Sequence, residues 1–523
     1  MKQLFRVLVM WLIGSAVLLG QGGQLDPSFG ESGAGFQTTG TGDPVPYSLL
    51  TLADGSFLLA GFTNSSTQRD WVIARFTPQG LPDPTFGNGG RLILDLQGTN
   101  EAGGAMVQLV DGSLVMAGYV SNSNDQEEVI IAKFDGNGNF QSSFGVGGLL
   151  TIDFGEEVER VRNIGLLPDG GILIAGHSYG SNGGKILLGK VMPDGSLDMS
   201  FGTNGIQKVA IGYDEVYVYD LEVLSNGQFY LAGSAGFGME QDAVVLRFNQ
   251  NGSLDNSFGT GGVYLLESYA GYDDASAFQV NTDGDLIVCG SVQVEAGGYD
   301  FAVHSFKLSA NGSMDTGFGI DGLSIIDLGE DGMEYPYDLI LQQDDKFLIC
   351  GSSPAIETDV FVMRCHPQGD LDFSFGAEGV STIDFGTPLE VGYSMNFHQD
   401  GDLLVAGGYG DIGNAGYFLA KVKTGQTVTT KELLTEESLQ VYPTISSDRV
   451  HISMNLEDSS RVEVRLLGQD GRLMASMMNE WVQAGQHEMD VMLPETLGQG
   501  MYWCTLQIAN ELISKPLIIP ANR

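Results

Sequence analysis

A Phe-Gly pair recurs along the chain at a nearly constant interval, and no other feature restricts the fold as tightly. The phenylalanines are Phe29, Phe86, Phe144, Phe201, Phe258, Phe318 and Phe375, spaced by 57, 58, 57, 57, 60 and 57 residues. A second marker keeps step with them, a glycine closing an apolar run at Gly61, Gly118, Gly176, Gly233, Gly290, Gly351 and Gly407. Self-similarity at a fixed period signals a repeat architecture, whose units bury their apolar faces only against one another.

Each unit carries four strand-like segments, which in the second unit are 91–96, 105–110, 113–119 and 128–134. Between the second and third segments stands Asp-Gly or Asn-Gly, at Asp54, Asp111, Asp169, Asn226, Asp283 and Asp400; one unit has Asp344-Asp345 instead. Such pairs suit the positive φ of a two-residue hairpin turn, so antiparallel pairing is predicted. Glycine, at 75 of 523 residues, is about twice as frequent as the usual ~7%, as expected of many turns. Four antiparallel strands per ~57-residue unit predict an all-β chain with a seven-bladed β-propeller over residues 23–425. A linear β-solenoid is the alternative. The last unit ends at Tyr417–Val422 without the Leu-Asp-x-Ser-Phe-Gly connector, and Leu25–Gly30 supplies one at the other end. In a ring the two would meet and remove the free sheet edges.

The segments Asp194-Gly195-Ser196-Leu197-Asp198-Met199-Ser200-Phe201-Gly202 and Asn251-Gly252-Ser253-Leu254-Asp255-Asn256-Ser257-Phe258-Gly259, with the strands Asp70–Phe76 and Asp242–Phe248, resemble the delta-60 repeat family of bacterial exported proteins. The resemblance covers residues 24–425. It implies a β-propeller and export, and no general activity.

Lys and Arg total 24 against 66 Asp and Glu, a formal net charge of −42. So acidic a surface repels phosphate backbones, which excludes nucleic acid as a natural partner. Residues 1–22 read as a signal peptide, with Lys2 and Arg6 before the apolar Val7–Leu19 and cleavage after Gly22 or Gly20. The apolar stretch is too short for a comfortable span, so no transmembrane segment is expected after cleavage. The predicted location is secreted or on the outer-membrane surface, reached through the periplasm. Four cysteines make no disulfide framework. Cys289 and Cys350 fall where other units carry alanine, and a Cys350–Cys365 bridge stays open.

Up-and-down order puts the first-to-second and third-to-fourth loops of every unit on one face. These are the variable loops, and variable loops on a rigid scaffold commonly carry function. They are rich in acids and tyrosines: Glu156, Glu157 and Glu159; Tyr213, Asp214, Glu215 and Tyr217; Tyr269, Tyr272, Asp273 and Asp274; Glu330, Asp331, Glu334, Tyr335 and Tyr337; Glu390 and Tyr393. Tyrosine offers an apolar face and a polar tip, so this face is expected to bind a glycan, peptide or protein partner. Basic residues recur at Arg75, Lys133, Lys190, Arg247, Arg364 and Lys421, with Ser305 in the remaining unit. Acids recur at Asp95, Asp153, Glu267, Asp327 and Asp384, which predicts ion pairs within or between blades.

No catalytic motif is present. The six histidines have no metal-ligand spacing, and nothing resembles Gly-x-Ser-x-Gly or a phosphate loop. The run from Asp135 to Asn139 lacks the Gly and Glu of an EF-hand, with Phe140 and Val146 in their places. No cofactor or metal site is predicted, although acidic loops could hold calcium without a motif. The leading reading is a non-catalytic binding scaffold. A polysaccharide-degrading enzyme with its site in the funnel, and a structural part of a surface assembly, are the alternatives.

Residues 426–438 read as a polar linker, and 439–523 as a small β-sandwich. Leu439-Gln440-Val441-Tyr442-Pro443, Leu467–Arg472, Leu497–Tyr502 and Lys515–Pro520 resemble landmarks of the type A C-terminal sorting domain of type IX secretion. The resemblance implies the secretion machinery as a partner. Thr444-Ile445 stand where that family usually has Asn-Pro. An adhesive immunoglobulin-like module is the alternative. Deletion of 439–523 is expected to leave the protein in the periplasm, checked by cell fractionation; undiminished release would contradict the sorting role.

Overall fold

The computed structural model describes residues 22–425 and 439–519, except 31–35, 41–42, 53, 65–68, 97–99, 122–126, 181–182, 239, 267–270, 295–299, 330–332, 355–357, 412–413, 443–448, 457–459, 468–472, 483–484, 494–499 and 509–510. Residues 1–21 and 426–438, read above as signal peptide and linker, and residues 443–445, 468–472, 497–499 and 520 of the stretches read as sorting landmarks therefore lie outside the described residues. All regular structure among the described residues is β-strand.

Among the described residues the pairings of the repeat region resolve into seven four-stranded antiparallel units, the blades of a β-propeller. In the fourth, Glu215–Val223 pairs Phe229–Phe237, which pairs Glu240–Phe248, which pairs Val263–Leu266. The innermost strands of the seven blades are Asp43–Thr51, Asn100–Gln108, Val158–Leu166, Glu215–Val223, Ala277–Val280, Tyr335–Leu341 and Leu389–Phe397. A blade therefore starts one strand later than the sequence repeat. Arg91–Leu94, read above as a first strand, is the outermost strand of the preceding blade and pairs Arg69–Phe76. Up-and-down alternation is unchanged by that shift, so the variable loops still share one face.

The hairpin turns differ from expectation. In the second blade Gly112 N–H donates to the Leu109 carbonyl (2.9 Å) and Leu109 N–H to that of Ser113 (2.8 Å). This is a three-residue turn closed by a left-handed residue, not a two-residue one. Gly112 has φ 81°, and Asp345 takes the same role at φ 61°.

The last blade closes on the first residues of the described chain. Phe36–Gly40 runs antiparallel to Asn414–Val422 as its outermost strand. Asp26 N–H donates to the Lys421 carbonyl (2.8 Å) and Gly23 N–H to that of Lys423 (2.6 Å). Seven apolar cores lie between successive blades, the last joining Leu404, Ala406 and Leu419 to Leu49, Phe57 and Phe76. Each core holds one phenylalanine of the Phe-Gly series, none more than 2% exposed.

A charged lock positions six of those seven rings. Asp198 accepts the N–H (3.0 Å) and hydroxyl (2.6 Å) of Ser200 with one oxygen, and its other oxygen meets Lys190 at 2.8 Å. Lys190 also meets Asp169 of the Asp-Gly turn. The lock repeats as Arg75–Asp83, Arg247–Asp255, Lys307–Asp315, Arg364–Asp372 and Lys421–Asp26. In the second blade Gln141 replaces the connector Asp, and Lys133 meets Asp111 at 3.7 Å. Two expectations are corrected here. Lys307, not Ser305, is the fifth blade's basic residue. The partners are connector and turn aspartates, whereas Asp153, Asp327 and Asp384 accept backbone N–H groups two residues on.

Residues 439–519 form two antiparallel sheets. Arg449–Leu456 lies between Leu439–Tyr442 and Gly485–Met492 in one; Leu473–Val482, Ser460–Leu467, Gly500–Ile508 and Glu511–Ile519 follow in order in the other. Ile452 from the first, and alternate residues Val462, Val464 and Leu466 from the second, are fully buried, as a β-sandwich requires.

Arg364 is nearly buried: it meets Asp372 at 2.9 Å, donates to Ser374 at 3.0 Å and lies 4.8 Å over the Phe375 ring. Arg364→Met leaves Asp372 paired with Lys346 at 2.9 Å but removes the guanidinium's bonds to Asp372, Ser374 and the Thr424 carbonyl, and is expected to cost about 2 kcal/mol. Lys208→Met, at an exposed pair with Glu156, should cost less than about 1 kcal/mol. Denaturant unfolding of both variants checks the difference.

Candidate functional site

The second sequence marker builds the central channel. At each marker glycine an added Cβ would fall 1.8–2.3 Å from a carbonyl oxygen of the inner strand, for example Val45 at Gly61 and Tyr217 at Gly233. No side chain fits there. The inner strand bulges at that level in six blades, and a bulge re-aims the extra residue. That residue lies 14 positions before the glycine: Tyr47, Gly104, Arg162, Tyr219, Tyr337 and Tyr393, with Ser276 at the same spacing in the fifth blade.

Four of these side chains, from Tyr47, Arg162, Tyr337 and Tyr393, meet one another. Tyr337 and Tyr393 have ring centroids 5.0 Å apart, and Tyr393 and Tyr47 5.9 Å. Arg162, two blades from Tyr47, lies 5.9 Å over its ring, and Gly104 of the blade between them packs against the Gly61 backbone, with no room for a Cβ. Tyr47 and Tyr337 keep 36% and 38% of their surface exposed. Nearby, Arg160 makes a two-point pair with Glu127 (2.6 and 2.9 Å) and lies over the rings of Tyr119 and Tyr179. His177 packs 5.1 Å from the Tyr217 ring, and its Nδ1 accepts the Val218 N–H at 3.3 Å. Burial first, then the charges of Arg162 and Arg160, pull His177 down to about 3, so it is neutral.

Of the residues singled out from sequence, Tyr337 and Tyr393 belong to this cluster and Tyr217 adjoins it through Tyr219 at 6.3 Å. All three lie in inner strands rather than loops. Glu157 and Asp214 are exposed on the loop face. Tyr213 is half-buried against the core between blades three and four. The other acids are mostly structural. Glu156 sits between Lys185 (2.7 Å) and Lys208 (2.9 Å), whose charges outweigh burial and hold it below the usual range. Glu159 and Glu390 are buried and accept N–H groups of the preceding loop. Glu215 accepts from the Tyr217 hydroxyl at 3.3 Å. Asp273 is fully buried and accepts the Ala243 N–H at 2.5 Å. Asp274 takes the Tyr272 hydroxyl (2.9 Å), the Ser276 hydroxyl and the Ser291 N–H. Glu334 is fully buried against Ser353, and burial pushes it up to about 7. Tyr335 packs on Phe301. Tyr269, Glu330 and Asp331 lie outside the described residues.

Tyr47, Arg160, Arg162, His177 and Tyr219 escaped the sequence reading. The fixed spacing before the marker glycine could have found three of them.

Carboxylates also stitch neighbouring inner strands together. Asp220 accepts the Phe278 N–H (2.9 Å), Glu222 that of Val280 (2.9 Å) and Asp338 that of Met395 (2.5 Å). Three carboxylate oxygens approach within 4.8 Å of one another at Asp70, Asp95 and Glu101, at Asp359, Asp384 and Glu390, and at Asp26, Asp400 and Asp402. In the last group the Lys421 ammonium supplies the positive charge. Cys289, Cys350 and Cys365 are free and buried. Among the described residues no helix is long and apolar enough to cross a membrane.

Four segments, residues 52–86, 111–144, 167–201 and 224–258, match the family described as "Domain of unknown function (DUF5122) beta-propeller". No curated protein matches the chain. Among solved structures it is similar to the polysaccharide lyase Uly1, at 11% identity and a TM-score of 0.46 over 78% of this chain and 98% of that one. A protein of unknown function from Dyadobacter fermentans gives 12%, 0.38, 74% and 99%. A PL25 ulvan lyase gives 10%, 0.38, 73% and 91%. Scores this low carry no functional inference.

Burial raises Asp220 to about 6, and Glu222 and Asp338 to about 7. The folded state thus keeps protons that the unfolded chain releases near pH ~4, and these groups cost stability as pH rises from there through ~7. Asp338→Asn should therefore gain melting temperature relative to wild type as pH goes from about 4 to 8. Parallel melting curves across that range would refute the assignment.

Proposed function

We propose that this propeller is a secreted or cell-surface binding protein that takes a saccharide chain into its central channel. One observation carries the reading: the rings of Tyr47, Tyr337 and Tyr393 cluster at 5.0 and 5.9 Å, two of them more than a third exposed. Tyrosine faces suit the flat C–H faces of sugar rings, and phenol tips suit their hydroxyls. A globular partner buries about 800 Å² of surface per side, more than three partly exposed tyrosines present, whereas a single sugar ring can stack on one or two phenols. The wall carboxylates Asp220, Glu222 and Asp338 are engaged with backbone N–H groups, which favours binding over acid–base chemistry. Export by a signal peptide and a type IX sorting domain belongs to the same proposal.

Tyr393→Ala and Tyr337→Ala are expected to weaken glycan binding at least about tenfold, a loss of about 1.4 kcal/mol, while Asp214→Lys on the exposed loop leaves it unchanged. Parallel glycan and peptide arrays with the full-length protein are the check. Binding confined to peptides, or sensitive only to Asp214→Lys, would overturn the proposal.

A further inference from the structure

Resting on that reading, we infer that the saccharide is anionic, and that Arg162 holds its carboxylate or sulfate group. The chain has only 24 basic residues, and most of those described in the propeller have a carboxylate partner. On the same inner strand Arg160 is clamped by Glu127, and on the two outer strands of that blade Lys185 and Lys208 are taken by Glu156. Arg162 differs. It is half-buried, its contact is the face of Tyr47, and among the described residues it forms no ion pair.

An arginine held off from carboxylates in a protein of net charge −42 is unusual, because acids are abundant and pairing is cheap. Here the backbone prevents it. The bulge between Val161 and Asn163, opposite Gly176, takes Arg162 out of the ladder, and the contact its guanidinium makes there is with the Tyr47 ring. His177 is neutral, so it neither repels nor neutralises the incoming group. A guanidinium offers paired N–H donors that match carboxylate or sulfate oxygens, and such charge-assisted pairs are about twice as strong as neutral hydrogen bonds. Tyr47, Tyr337 and Tyr393 would then stack on the sugar ring that bears the charge. The large negative net charge disfavours a densely charged polyanion lying across the surface, so isolated anionic units entering the channel fit better.

The test is an array of neutral, uronate-bearing and sulfated oligosaccharides, probed with the full-length wild type, Arg162→Gln, Arg162→Lys and Tyr393→Ala. Wild-type binding should be confined to anionic probes, the uronate and sulfated arms showing which group is preferred. Arg162→Gln should lose at least about tenfold, Arg162→Lys less, with melting temperature unchanged because no ion pair is broken. If neutral oligosaccharides bind, with loss in Tyr393→Ala but none in Arg162→Gln, the anion assignment fails and saccharide binding stands. If the wild type binds no saccharide, both fail.

Discussion

The ring depends on a pairing made in six of the seven blades, between a lysine or arginine at the end of the third strand and an aspartate in the connector. That aspartate does two things at once. One oxygen folds the connector into a tight turn by accepting from a serine or threonine two residues on, and the other anchors it to the strand. The phenylalanine that follows is thereby delivered between two sheets. Salt bridges in the open contribute little; these act by setting geometry, and the stabilisation comes from the ring they bury. The lock also seals the circle, since Lys421 of the last blade reaches Asp26 at the start of the described chain at 3.0 Å.

The other repeated device turns inward. A glycine without room for a Cβ lets the inner strand bulge against it, and the bulge takes one side chain out of the ladder. Scaffold and site are therefore specified separately. The glycine is fixed by backbone contact in all seven blades, while the residue it aims is free to vary. Four tyrosines, an arginine, a serine and a glycine occupy those seven positions. Asymmetric occupation of a symmetric frame is what a specific ligand requires, because a ring of identical residues would offer every orientation the same contacts.

The fold was largely legible because its signals are local and repeated: Phe-Gly, Asp-Gly, and apolar runs of strand length. What misled was pairing information that lies outside any one unit. Blade boundaries could not be placed, because the strand after Phe-Gly is equally compatible with either neighbouring sheet. The basic residues were assigned to Asp153 and its equivalents, since two sets of acids recur at the same period and spacing alone does not say which is near. The candidate site was legible only in part. Tyr337 and Tyr393 stand out by belonging to acidic, tyrosine-rich stretches, but their placement comes from the bulge, which composition does not show. Asp273, Asp274 and Glu334 looked like surface ligand groups and are buried, because a carboxylate next to a strand start reads identically whether it faces water or caps a backbone N–H.

That last confusion bears on the net charge itself. In a propeller each innermost strand has one edge without a ladder partner, and its N–H groups need acceptors. Here they are met by side chains of the preceding blade: Asp220 and Glu222 reach the fifth, Gln279 the sixth and Asp338 the seventh. Gln279 performs the same task without charge, so it is the acceptor oxygen that the position demands, not the anion. Part of the acidity is thus internal architecture, held partly protonated by burial, and it contributes less to the surface field than −42 suggests. Carboxylates held by backbone N–H groups in this way are poor partners for a basic side chain.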